Sequence, residues 1–390
     1  MTFELRPFGS AGSAVRKTAR LAIVLLVLFV SFAGTSPAQA DAEKRVSEYD
    51  VNGLKVLVKK RAGTPTVSAA LFFRGGSRNL TPQTAGIENF TLNAADEGGK
   101  AFPRAVLRKE LARMGTQLGS SAGPDFSVMS LTCTKANFDT SWKMLMDVAL
   151  QPAFANDDVE RVRAAVINGL RAKGDAPDSA LQDLFERTIY AGHPYANDAD
   201  GTVENISRFK TADLIAYHKQ LMETSRMLLV VVGDVDPAEI QKLAAASFGT
   251  LPRGSYKDAA APPLDFSKGD VQVENRQFQT DYVQGSFAAP PIGDPEYYAM
   301  RAAISILQTQ VYQEVRVKRN LSYAPDAGLL TNAANNAYIY VTAVKPNDAV
   351  AVMLDCIRDL RQNEVTTDVI RQYGNFFLTT YYLGQESNAA

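Results

Sequence analysis

The chain has 390 residues and a mass of 42.3 kDa. A single core stops growing near ~250–300 residues, so two or three domains are expected. Its 46 % hydrophobic and 21 % charged content exclude a disordered tail protein, a coiled coil and a multi-span membrane protein. The 41 basic and 42 acidic side chains nearly cancel, to −1, which argues against a nucleic-acid footprint. Two cysteines, Cys133 and Cys356, are too few for a disulfide framework or a Cys-rich zinc site. Two histidines, His193 and His218, are too few for a multi-histidine metal site. Whether the cysteines meet is left open by the sequence.

Taken in chain order, the first segment reads as an address. Arg16, Lys17 and Arg20 precede the apolar run Leu21–Val30, and Ala38-Gln39-Ala40 follows. That order describes a secretory signal peptide over residues 1–40, with an uncleaved anchor as the alternative. The run is shorter than the ~20 residues of a membrane span. Cleavage before Asp41 would remove Arg6, Arg16, Lys17, Arg20 and Glu4 and leave a net charge of −4, suited to a soluble exported protein with no stable membrane span.

The next residues alternate with period two on both sides of Asn52-Gly53, the signature of a type I′ hairpin. Thr66–Phe73 reads as a central strand, Thr84–Ala95 and Arg104–Met114 as helices, and Thr116–Ser120 and Phe126–Thr134 as strands. Helices are expected over Ala136–Ala149, Asp157–Ala172, Ser179–Tyr190 and Thr211–Met222. Met227–Val232 is a buried strand, and Asp236-Pro237 caps and starts the helix Ala238–Ala246.

Pro252–Gly269 is rich in proline, alanine and glycine and marks a linker. Beyond it the grammar repeats: strand Thr280–Ala288, helices Glu296–Gln308 and Val311–Lys318, strands Leu321–Leu330 and Ala337–Val344, helices Ala349–Arg361 and Thr367–Tyr382. The order strand, helix, strand, strand, helix, helix occurs twice. The expected fold is therefore α+β, two repeated domains, each a mainly antiparallel sheet packed by helices. The expected bounds are 41–253 for the first domain, 254–268 for the linker and 269–390 for the second. The halves are unequal, 210 residues for Lys44–Arg253 against 123 for Lys268–Ala390, and the second is expected to be truncated.

Four stretches carry a family likeness. They are Gly86-Ile87-Glu88-Asn89-Phe90-Thr91-Leu92-Asn93, Gln151-Pro152-Ala153-Phe154, His193-Pro194-Tyr195 with Tyr217-His218 and Val231–Val235, and Tyr312–Tyr323. In this order and spacing they resemble the insulinase/pitrilysin family of zinc peptidases, the inverzincins. The likeness is to the short two-domain branch with mitochondrial processing peptidase and bacterial periplasmic homologues, and it implies the family's metallohydrolase fold in both halves.

Catalysis in that family rests on H-x-x-E-H, two histidines at i and i+4 on one helix face with a glutamate as base, plus a distal glutamate ligand. The matching positions here are Asn89, Leu92 and Asn93, and the distal one falls near Asn168-Gly169. Leucine has no donor and asparagine is a poor zinc ligand, so no metal and no catalytic residue is expected in this chain. Glu88 and Glu97 read as solvated charges, His193 and His218 as hydrogen-bonded structural residues, and Cys133 as packed core.

The resemblance also implies an arginine and a tyrosine that hold substrate backbone and oxyanion. Arg316 and Tyr323 stand on those positions, and Arg319 is expected to face solvent. The implied function is that of a metal-less, Arg/Tyr-bearing partner of a homologous zinc-bearing peptidase subunit, exported to the periplasm and binding a peptide or unfolded polypeptide. Zinc is expected in the partner chain, and no cofactor in this one. A non-catalytic scaffold of the same fold and a peptidase with non-standard ligands are the alternatives.

Overall fold

The computed structural model describes residues 46–389, so the proposed export segment lies outside the described residues. Strands β1 (Val46–Val51) and β2 (Leu54–Lys60) flank Asn52 and Gly53, both at positive φ (54° and 90°), as a type I′ turn requires. Strand β3 (Thr66–Arg74) alternates buried and half-buried residues. Helix α1 (Ile87–Ala95) follows, then α2 (Arg104–Met114), which ends where Gly115 turns left-handed. Strands β4 (Gln117–Ala122) and β5 (Phe126–Thr134) come next. Helices α3 (Phe138–Leu150), α4 (Asn156–Lys173), α5 (Pro177–Ile189), α6 (Val203–Arg208) and α7 (Thr211–Leu221) lead to β6 (Met227–Gly233) and α8 (Pro237–Phe248). Asp236 accepts from the amides of Ala238 and Glu239, which is the cap expected from the Asp-Pro step.

These strands make one six-stranded sheet in the order β1-β2-β6-β3-β5-β4. Only β2 and β6 run parallel among its registered pairs from β2 onward. The second sheet has strands β7 (Asp281–Ala288), β8 (Asp326–Leu329) and β9 (Asn336–Ala343) in the order β7-β9-β8, all antiparallel. Its helices are α9 (Tyr297–Val311), α10 (Pro346–Gln362) and α11 (Thr367–Gly384). The order β7-β9-β8 reproduces β3-β5-β4, which makes the internal repeat visible at the level of strand pairing. Each sheet has its own apolar core, one around Phe73, Phe90, Leu131 and Leu229, the other around Leu307, Val315, Val341 and Met353. From Glu48 onward the two sheets belong to one compact unit.

Four local expectations shift. Helix α1 starts at Ile87 and not Thr84, because Gly86 is left-handed (φ 89°) and a Cβ there would sit 2.6 Å from Gly201 Cα. The expected helix Val311–Lys318 is the π-helical continuation of α9 over Tyr312–Val317. The strand expected over Leu321–Leu330 shrinks to β8, since Asn320 is left-handed (φ 50°) and the Leu321 amide turns back to the Val315 carbonyl. Helix α6 has six residues, too few for a periodic signal, and depends on the Thr202 side-chain cap.

Glu88 and Glu97 are corrections. Glu88 is 1 % exposed. It accepts from Ser127 Oγ, from Tyr217 Oη at 2.5 Å and from Arg226 at 3.1 Å. Arg226 Nε donates in turn to the Arg74 carbonyl at 2.8 Å. Glu97 pairs with Arg104, Arg108 and Arg161. A glutamate in a helix reads as solvated only until its partners, far along the chain, are known. Arg226→Met should destabilise the protein by about 3–5 kcal/mol in urea melts, because it leaves a buried carboxylate without its cation. Glu88→Gln, which keeps acceptor and donor atoms in place, should cost less.

Candidate functional site

The helix face matching the inverted zinc motif is built from α1. Asn89 and Asn93 sit one turn apart and half-buried, while Leu92 points into the core and is fully buried. Asn93 Nδ2 donates to the Asn89 side-chain oxygen at 2.8 Å and to its carbonyl at 2.9 Å. Asn89 Nδ2 donates to Asp200 Oδ1 at 2.9 Å, and Lys173, at the end of α4, pairs with the other oxygen of Asp200. This donor set does not fit zinc: two amides already bonded to each other, a leucine in place of the base, and an ammonium on the one carboxylate. Among the described residues no group of three or more His, Cys, Asp or Glu side chains converges as a metal site. Asp200 and Lys173 escaped the sequence reading because no local spacing links them to Asn89.

The second feature lies on the other sheet. The π-helical turn carries Arg316, whose guanidinium carbon lies 4.0 Å from the centroid of the Tyr323 ring and 5.2 Å from that of Tyr312. The cation thus lies over two aromatic rings, each contact worth about 0.5–1 kcal/mol at an exposed site. Glu314 takes the neighbouring cations: it pairs with Lys318 at 2.6 Å, and both its carboxylate and its carbonyl receive Arg319. The hydrogen bonds from Lys318 and then Arg319 hold the Glu314 carboxyl below its ordinary range. Arg319 is exposed as expected, yet tied down. Arg316 is left with no carboxylate partner among the described residues. It lines a groove of about 310 Å³ with Thr280, Leu321, Tyr323, Thr342 and Val344. All belong to the second sheet and its loops. Tyr312 was missed in the sequence, although its i, i+4 spacing to Arg316 on a helix was a usable signal. π-Helical turns are frequent at functional sites, because the extra residue re-aims a side chain.

The histidines are structural in geometry. His218 donates Nε2–H to the Ala149 carbonyl at 2.8 Å, and burial pushes its pKa down. His193 Nδ1 accepts from the Tyr195 amide, so its Nε2 carries the proton and donates to the Pro262 carbonyl at 2.8 Å. Cys133 and Cys356 are free and buried in different cores, and burial pushes both thiols up.

A six-stranded and a three-stranded sheet with the same core strand order define a duplicated α+β peptidase-like fold. The comparisons agree. Residues 55–203 match the family model described as insulinase (peptidase family M16), and residues 208–373 match that of the peptidase M16 inactive domain. Subunit 1 of the mitochondrial cytochrome b-c1 complex of Bos taurus is 23 % identical over 272 residues, 69 % of this chain and 56 % of the relative. The chain thus spans about half the length of the curated relatives of that name. The solved peptidase M16 inactive domain of Pseudomonas fluorescens superposes with a TM-score of 0.79 at 21 % identity, covering 88 % of this chain and 84 % of that one. The first half of the periplasmic protease PqqL of Escherichia coli gives a TM-score of 0.68 at 15 % identity, covering 86 % and 76 %. The chain belongs to the insulinase (M16) peptidase family and has a peptidase-like fold without the family's metal ligands. No helix among the described residues is long and apolar enough to cross a membrane.

Next to this face, Asp96 caps the end of α1. Its Oδ2 accepts from Ser120 Oγ on β4 at 2.7 Å, while its Oδ1 is buried without a partner. Burial, partly opposed by Ser120 and Arg108, raises its pKa from 3.8 to about 7. A folded pKa above the unfolded one means that this group's contribution to stability is full below pH 3.8, is lost progressively as pH rises from there, and is gone once pH has passed through about 7. Asp96→Asn should therefore match the native protein only below about pH 4 and melt higher by a margin that grows up to about pH 7 and is then constant. Melting temperatures of both proteins across pH 3.5–8 check this.

Proposed function

We propose that this chain is the metal-less, Arg/Tyr-bearing partner of a homologous zinc-bearing peptidase chain, and that it contributes peptide binding rather than the hydrolytic centre. The observation that carries the reading is the contrast between the two lobes. The face that would bind metal is filled with amides and an ion pair. Arg316, by contrast, has no carboxylate partner among the described residues and lies against the rings of Tyr323 and Tyr312 in an open groove. A guanidinium so placed presents several N–H donors in a fixed fork, suited to a peptide carbonyl or the oxyanion it becomes. The Tyr323 hydroxyl adds one donor. Because the groove is made from the second sheet and its loops, the hydrolytic centre it serves would belong to another chain rather than to this chain's α1.

The peptide would lie extended. Strand β4 ends the first sheet, beside α1, and offers a free edge for strand addition. The two peptidase-like units are assigned to residues 41–253 and 269–390, joined by 254–268. The segment 1–40 would direct export to the periplasm, where zinc would reside in the partner chain. A scaffold role without cleft chemistry is the second reading, favoured by the likeness to a cytochrome b-c1 subunit.

Mixing this chain with a zinc-bearing homologue should create peptidase activity that neither has alone. Arg316→Ala should lower turnover about a hundred- to thousand-fold, ~3–4 kcal/mol, with the dimer intact by size-exclusion chromatography. Tyr323→Phe should cost less, since the ring still stacks on Arg316. Activity that survives Arg316→Ala would favour the scaffold. The isolated chain should bind no stoichiometric zinc by elemental analysis; about one zinc per chain with chelator-sensitive activity would favour non-standard ligands.

A further inference from the structure

The amide pair on α1 ends on a charge that the peptidase reading does not use. Asn93 bonds to Asn89, Asn89 to Asp200, and Asp200 to Lys173. These residues come from three places: α1, the loop before α6, and the end of α4. The loop is seated on α1 by more than this chain of contacts. Gly201 and Gly86 meet with no room for a Cβ on either. Asn197 donates to the Leu80 carbonyl at 2.7 Å, and Asn205 donates to the Pro82 and Ala85 carbonyls. Asp198 accepts from the Asp200 amide at 2.8 Å and lies 3.7 Å from Lys173.

We infer that Lys173 is a built-in cation for this site: its ammonium balances Asp200, which orders the Asn89–Asn93 pair, and so closes to metal a helix face that already has ligand geometry. Two side chains at i and i+4 are bonded to each other, and the first of them, Asn89, is bonded to one carboxylate, Asp200. That is the arrangement a three-ligand metal site needs, with amides where imidazoles would stand. A divalent cation would have to displace an ammonium already paired with the only carboxylate bonded to this pair. The third donor is therefore Asp200 on a loop, and no residue near 168–169 on α4 is needed. The inference does not depend on the role given to Arg316.

Cobalt(II) titrations followed by visible absorption test it on the full chain. Asn89→His with Asn93→His should bind cobalt(II) weakly while Lys173 is present. Adding Lys173→Met should tighten binding at least a hundredfold and bring up the intense bands of a tetrahedral site. Adding Asp200→Asn to that variant should abolish both. Equal affinity with and without Lys173, or binding indifferent to Asp200→Asn, would overturn the inference. A second measurement needs no histidines. Lys173→Met and Asp200→Asn should each speed hydrogen exchange in the peptide spanning 197–201, and the double variant should be no faster than the faster single. Unchanged or additive exchange rates would count against the ion pair as the organising contact, whatever the fate of the histidine variants.

Discussion

The buried carboxylate of Glu88 is the contact on which the first lobe depends. It belongs to α1, yet it is bonded to Ser127 on β5, Tyr217 on α7 and Arg226 at the entry to β6. Arg226 extends the cluster to the end of β3 through the Arg74 carbonyl and to the linker through the Tyr256 ring, 5.1 Å away. This cluster thus ties together two helices, three strands and the start of the connection to the second sheet. Burying it is expensive unless every lone pair finds a donor, and here both carboxylate oxygens do. The Tyr217 hydroxyl is correspondingly hard to ionise, because it is buried and faces the negative charge of Glu88.

With α1 held this way, the adjacent face bearing Asn89 and Asn93 keeps its orientation even though its chemistry has changed. That face is filled by a run of contacts from Asn93 through Asn89 and Asp200 to Lys173. On the second sheet the pattern is reversed. Glu314 neutralises Lys318 and Arg319, and the π-helical turn keeps Arg316 away from that carboxylate and against aromatic rings. Around α1 the amides and the carboxylate are paired with one another and with Lys173, while Arg316 on the second sheet has no carboxylate partner among the described residues.

Much of the fold was legible because local physics and tertiary context agree in it. Asn52-Gly53 demanded its hairpin, Asp236-Pro237 its helix start, Gly115 its helix end, and the alternating strands their faces. The repeat showed as a recurring order of elements before it showed as β3-β5-β4 and β7-β9-β8. What stayed hidden was non-local. Glu88 looked like a solvated charge because Arg226 lies 138 residues away. Asp200 and Lys173 bear no periodic relation to Asn89. The π-helical turn looked like a second helix, since apolar spacing cannot reveal a changed hydrogen-bond register. Arg316 and Tyr323 stood out by resemblance, whereas the stacking that ties them to Tyr312 required coordinates.

The most direct test of the account is hydrogen exchange by mass spectrometry on this chain mixed with a zinc-bearing homologue rendered inactive, with and without an extended peptide. The account predicts that peptide addition slows exchange in the segment 312–323 of this chain and leaves the segment 89–93 unchanged. Protection at 89–93 with none at 312–323 would contradict it.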